Sequence, residues 1–275
     1  MLNTKISWAT ASWNPFVGCS KVSLACDHCY AEQYVKRFRK GDFRVQRARG
    51  NSFRAPITWR SPERIFVCSL SDFFHEDILR ADRHDAIRVM RDAPQHTYML
   101  LTKRPQNIQP MLAGTAWADG LPANVWLGVT AENQEMADLR IPALLRFPAP
   151  VHFVSCEPLL GPVDLRWYMG ESVCLVHSRP QCETCQLDAH RAQEFGRGLD
   201  WVIAGGESGA RARPMNADWA RALCDHCAAA KVPFFFKQWG EYDDAGVRVG
   251  KTKAGRSLYG TVFNDIPVVK KGAEK

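Results

Sequence analysis

Six short apolar runs, each closed by a polar turn, restrict this chain more than any other feature. They are 64–70 (RIFVCSL), 97–102 (TYMLLT), 125–130 (VWLGVT), 151–156 (VHFVSC), 201–204 (WVIA) and 232–237 (VPFFFK), and their starts lie 26 to 50 residues apart. That interval is the length of a strand plus a crossover helix. The runs are nearly continuous in β-branched and aromatic residues, the pattern of strands covered on both faces, and helix-like segments such as 81–91 and 217–230 separate them. With a further strand before Cys19, the sequence predicts six to seven βα units. The expected fold is α/β, a parallel barrel or partial barrel of the TIM type. An open doubly wound sheet is the alternative. Against it, Gly205-Gly206-Glu207-Ser208-Gly209 is glycine-rich without the spacing of a dinucleotide-binding turn.

At 275 residues the chain is long enough for one such barrel, whose usual size is ~250 residues. The reading is a single barrel domain over 1–242, with a polar tail over 243–275 that frays or forms a small hairpin. Hydrophobic residues at 46% and charged ones at 24% are globular values. No apolar stretch approaches the ~20 residues of a membrane span, and the first residues lack a signal-peptide layout, so the expected location is the cytoplasm, without membrane contact. In that reducing setting, clustered members of the ten cysteines point to metal more than to disulfides.

Functional residues of a parallel barrel gather where strands end. Here those ends carry Ser69 and Asp72, Lys103 and Arg104, Glu132 and Asn133, Glu157, Glu207, and Lys237. Helix capping accounts for Ser71, Asp72 and Thr130. It does not require three glutamates or the lysines, for which the alternatives are mutual pairing and a ligand site.

The stretch WNPFVGCSKVSLACDHCY, 13–30, places Cys19, Cys26 and Cys29 in a C-x6-C-x2-C array. Asn14-Pro15 and Gly18 break any helix before it, and helical pattern resumes at Cys29, so the array reads as strand, loop, helix. Three thiolates can hold a soft metal centre and leave one coordination position open for chemistry. His28, inside the loop, is an alternative fourth ligand that would close the site.

The array resembles the cluster loop of radical S-adenosylmethionine (radical SAM) enzymes. Its last interval and the aromatic Tyr30 after the third cysteine match that pattern; its first interval of six is longer than the commonest three. The whole chain, from WNPFVGCSKVSLACDHCYAE onward, also resembles a phage-associated three-cysteine-motif family of unknown function. The resemblance implies a [4Fe-4S] cluster on Cys19, Cys26 and Cys29, S-adenosylmethionine at the fourth iron, an electron donor, and a small partner protein. It implies cofactor contacts near Tyr30, with Ser69 and Asp72 toward the methionyl amine and Glu132 and Asn133 toward the ribose. Lys103, Arg104, Glu157, Glu207 and Lys237 remain for the substrate side.

A net charge of +7 favours an anionic partner, nucleic acid or a phosphorylated small molecule, or else reflects a solvated surface. The basic segment beginning at Lys36-Arg37-Phe38-Arg39-Lys40 and running to Arg54 has Phe43 and Phe53 interleaved, an arrangement suited to a polyanion beside the cluster. Insertion 167–198 carries Cys174, His177, Cys182 and Cys185, spaced as a tetrahedral zinc site that staples a loop. Free thiols and a second iron–sulfur cluster are its alternatives. Cys68, Cys156, Cys224 and Cys227 read as buried packing residues, with two alternatives: Cys224 and Cys227 completing a site with Cys182 and Cys185, and Cys156 acting at the rim. Two functions emerge: a radical SAM-like iron–sulfur enzyme, or a non-catalytic, zinc-stabilised nucleic-acid-binding protein. If the insertion holds zinc, Cys182→Ala releases it and leaves iron content unchanged. Elemental analysis checks this, and a preparation lacking zinc removes the stapling idea.

Overall fold

Each apolar run forms a strand, as expected of segments whose two faces must both be covered. The computed structural model describes residues 2–39, 42–48, 50–170, 173–174, 195–196 and 198–268. Its main strands are β1 (Ala11–Trp13), β2 (Arg64–Val67), β3 (Thr97–Thr102) and β4 (Val125–Thr130), followed by β5 (His152–Cys156), β6 (Trp201–Gly205) and β7 (Phe234–Gln238). Every residue of β4, β5 and β6 is buried.

The seven strands lie in one sheet in chain order. Parallel register pairs Ala11 with Ile65, Ile65 with Tyr98, and Val202 with both Val154 and Phe234. A strand order that never reverses sends each right-handed crossover over the same face, which curls the sheet toward a barrel instead of winding it doubly. Among the described residues β1 and β7 are the two ends of that order, so the architecture is a parallel half-barrel.

The helices include α1 (Tyr30–Tyr34), α2 (Arg80–Asp92), α3 (Ile108–Leu112), α4 (Gln134–Leu145) and α5 (Ala217–Ala230). α2 buries Ala86, Ile87, Val89 and Met90, the 3–4 spacing of one helical face. Asn133 caps α4 by accepting from Met136 N–H (3.0 Å), and Asn216 caps α5 by accepting from Asp218 N–H (2.9 Å).

The chain divides into two compact units, Met1–Gly128 with Pro148–Pro150, and Val129–Phe147 with Val151–Lys275. In the first, aromatic packing links Trp8 to Phe66 (4.6 Å between ring centroids) and Phe16 to both Phe53 and Phe73 (6.2 Å each). In the second, Trp201 packs on Phe153 (5.6 Å) and Phe235 (6.3 Å). There the polar tail lies along β7: Phe236 N–H donates to Phe263 O (3.1 Å), and Trp201 Nε1 donates to Asp265 O (2.8 Å). The tail therefore gives edge strand β7 a covering. The insertion is pinched by an antiparallel pair, Val173–Cys174 with Phe195–Gly196. Of its expected zinc ligands, His177, Cys182 and Cys185 lie outside the described residues, and Cys174 is described only by its backbone. Among the described residues, no helix is long and apolar enough to cross a membrane.

One buried ion pair stabilises the second unit. Glu132 is 0% exposed, and its Oε2 accepts from Arg140 Nη1 (2.8 Å), which also donates to Thr130 O (2.8 Å). Removing one partner strands a charge in a dry interior. Arg140→Ala should therefore cost about 3–5 kcal/mol of stability, read as a lowered urea midpoint. An unchanged midpoint would show that the pair contributes nothing net.

Candidate functional site

The three cysteines sit where β1 gives way to α1, in the first unit. Asn14 makes the turn: its Oδ1 accepts from Leu70 N–H (2.9 Å) and Ser69 Oγ (3.2 Å), tying the chain after β1 to the chain after β2. Gly18 then takes a backbone φ of +101°, and a Cβ there would stand 1.9 Å from Arg44 O, so only glycine admits the passing segment. Cys19 N–H donates to Phe43 O (3.2 Å) and Ser71 Oγ donates to Gly18 O (2.6 Å), which fixes the first cysteine from both sides. A 3₁₀ turn, Leu24–Cys26, leads to Cys29 at the head of α1, where Cys29 N–H donates to Cys26 O (3.3 Å). All three thiols are free and half-buried.

A buried charge network stands behind Cys19. Asp72 accepts from Phe74 N–H (3.0 Å), Thr102 Oγ1 (2.8 Å), Lys103 N–H (3.0 Å) and Arg104 Nη1 (3.4 Å). Arg104, 2% exposed, spends its fork on several partners. Its Nε donates to Glu76 Oε2 (3.0 Å), its Nη2 to Ser20 O (3.0 Å) and Ser20 Oγ (2.7 Å), and its Nη1 reaches Cys19 Sγ (3.5 Å) as well as Asp72. His75 completes the wall, with Nε2 3.1 Å from the Ser20 amide nitrogen and Nδ1 3.1 Å from that of Asp77; the neutral ring accepts at one of its nitrogens and carries its proton on the other. Burial, then the Arg104 charge, lowers its pKa, so the ring is neutral at neutral pH.

Burial pushes the Cys19 thiol up to about 11; the Asp72 carboxylate adds to this and the Arg104 guanidinium opposes it. Cys68 and Cys156 are buried, and burial drives both well above the ordinary thiol value, which makes them inert packing groups. Cys224 and Cys227 are likewise buried on α5.

The donor set of the loop is all sulfur, the chemistry that iron–sulfur clusters and zinc both select. Among the described residues, no three His, Cys, Asp or Glu side chains converge as ligands of one metal ion. A four-iron cubane gives each thiolate its own iron, so its ligands need not meet at a point. The donor chemistry of three free, half-buried thiols suits that group, and Arg104 holds the first of them.

The other expected residues have partners of their own within each unit. Tyr30 Oη donates to Ser69 O, which brings both beside the loop. The Ser69 hydroxyl is itself engaged with Asn14. In the second unit, Lys237 Nζ donates to Glu157 Oε1, and Arg213 grips Glu207 through Nε (2.9 Å) and Nη2 (2.7 Å). There Glu132 is enclosed with Arg140, and Asn133 is a helix cap. Pairing and capping thus occupy these strand ends. Asn14, Ser20, His75 and Glu76 were not expected, and no motif announces them: each acts through partners at least 55 residues away, or, for Glu76, 28 residues away.

A cleft of about 700 Å³ opens beside Cys19, lined by Ser20, Lys21, Glu32, Lys36, Phe43 and Arg44 among others. Residues 3–267 match a family described as "Protein of unknown function (DUF5131)". No curated protein and no solved structure gave a significant match.

The raised Cys19 thiol has a direct readout. In metal-free protein its alkylation by iodoacetamide should keep rising, about tenfold per pH unit, beyond pH ~9 where an ordinary thiol levels off. Mass spectrometry of the labelled peptide checks this, and a plateau near pH ~9 would contradict it.

Proposed function

We propose, for a chain that belongs to the DUF5131 family of proteins of unknown function, that Cys19, Cys26 and Cys29 hold a [4Fe-4S] cluster and that the protein is a radical SAM-like enzyme acting on an anionic substrate. The observation that carries this is the buried Arg104 guanidinium directed at Cys19 Sγ and anchored by Asp72 and Glu76. A structural thiol needs no such partner. A ligating thiolate does, because a fixed cation and a hydrogen bond to sulfur favour the deprotonated state and set the electronic properties of what it binds.

When bound, such a cluster with S-adenosylmethionine at its open iron supplies one-electron reductive chemistry. The protein's own contribution is positional. Asp72 holds Arg104 and the backbone after β3, Arg104 holds Cys19 and Ser20, and Gly18 lets segment 42–45 close over the loop. Tyr30 and Ser69 form the neighbouring wall. Metal binding must first displace the Cys19 proton, so assembly is favoured as pH rises toward the raised thiol value.

Anaerobic reconstitution tests the proposal. The expected protein is brown, holds about four irons, and forms 5′-deoxyadenosine from S-adenosylmethionine and a strong reductant. Cys26→Ala should lose the iron and the product together. A colourless protein, or full iron retention in Cys26→Ala, would overturn the reading.

A further inference from the structure

Helix α1 and the π turn that continues it, Val35–Arg39, carry Tyr30, Tyr34 and Phe38 at intervals of four residues. Four-residue spacing places side chains on one side of a helix. All three are exposed, at 56%, 45% and 63%. Tyr34 and Phe38 pack ring to ring (5.0 Å between centroids), and the Arg37 guanidinium lies over Phe38 (5.2 Å). Neighbouring exposed rings of this kind mark a binding surface more than an ordinary solvated face.

Charge is concentrated in the same stretch. Between Lys21 and Arg54 stand nine Lys and Arg against three Asp and Glu, a surplus of six in a chain whose net charge is +7. The remainder is close to neutral, so the basic character belongs to this region. Three of its described cations are paired: Arg47 with Asp82 and Asp85, and, further into solvent, Lys36 with Glu32 (2.7 Å) and Arg44 with Asp42 (3.8 Å). Lys36 and Arg44 are well exposed, and a phosphate can displace such surface pairs at little cost. The cleft beside Cys19 adjoins the ring-bearing helix through Glu32 and Lys36, and its volume lies in the range that encloses a small ligand such as one nucleotide.

We infer that this face binds single-stranded nucleic acid. Bases stack on Tyr34 and Phe38, phosphates lie against Lys36, Arg37 and Arg44, and one nucleotide turns into the cleft that ends at Cys19. A single strand is favoured over a duplex because the rings offer π faces, which only unstacked bases can use. An anionic membrane is disfavoured by the short helix, which lacks the long apolar face of an interfacial anchor. Strand binding stands on this surface alone, whereas delivery of a nucleotide for reaction rests on the proposed iron–sulfur chemistry.

Anisotropy titrations of the whole protein, prepared anaerobically, test the inference with fluorescein-labelled single strands of about twelve nucleotides, the matching duplex, and phosphatidylserine vesicles as competitor. Single strands should bind at least about tenfold more tightly than duplex, and Tyr34→Ala with Phe38→Ala should lose about tenfold or more. Tyr34→Phe with Phe38→Tyr should retain binding, which separates stacking from a folding defect. Lys36→Gln with Arg37→Gln should flatten the salt dependence by about two phosphate contacts. Equal affinity for duplex, indifference to ring truncation, or displacement by vesicles would each overturn the inference. Iron content is measured on the same sample: strand binding without a cluster sinks the enzyme reading alone, and a cluster without strand binding sinks this one alone.

Discussion

The contact between Asp72 and Arg104 is the constraint on which the first unit is built. Neither charge has access to bulk water, and each is tolerable only because the other, with several neutral partners, completes its hydrogen bonding. Their positions follow from topology. Asp72 lies just past β2, Arg104 just past β3, and parallel neighbours bring those two exits to the same edge of the sheet. Cys19 reaches that edge after β1. The half-barrel is therefore what turns three segments distant in sequence into one wall.

Unlike that wall, the strand exits of the second unit resolve into closed pairs. Glu157 with Lys237 and Glu207 with Arg213 neutralise each other locally, and Gln238 holds Ser208 (2.7 Å). Charges matched in this way shape a polar rim and restrain the loops that bear them. They leave the first unit as the place where a cation faces a thiol.

Strand positions were legible because runs such as VWLGVT and WVIAG have no polar face to expose, and a segment of that kind has few places to go. Sequential strand order was legible as a half-barrel only in part, since the number of units and the apolar runs do not say whether the last strand meets the first. The cysteine array was visible from its spacing. What could not be read was the machinery around it. Asn14, His75 and Glu76 are ordinary polar residues in sequence, and their roles arise from hydrogen bonds that span 28 to 56 residues. Glu132 and Asn133 look alike at a strand exit, yet one is sealed with Arg140 and the other caps a helix; the difference lies in the direction each side chain takes, which no local pattern encodes.

Gly18 and Cys19 meet the segment after Asp42 entirely through main-chain atoms: the carbonyl of Arg44 over the glycine, and the carbonyl of Phe43 on the cysteine amide. Neither of these contacts uses a side chain at 43 or 44, and both residues line the adjoining cleft. Exchange at these two positions can thus change what the cleft admits without loosening the loop beneath it. Selectivity of the cleft and retention of the cysteine loop are left to evolve on separate atoms of the same two residues.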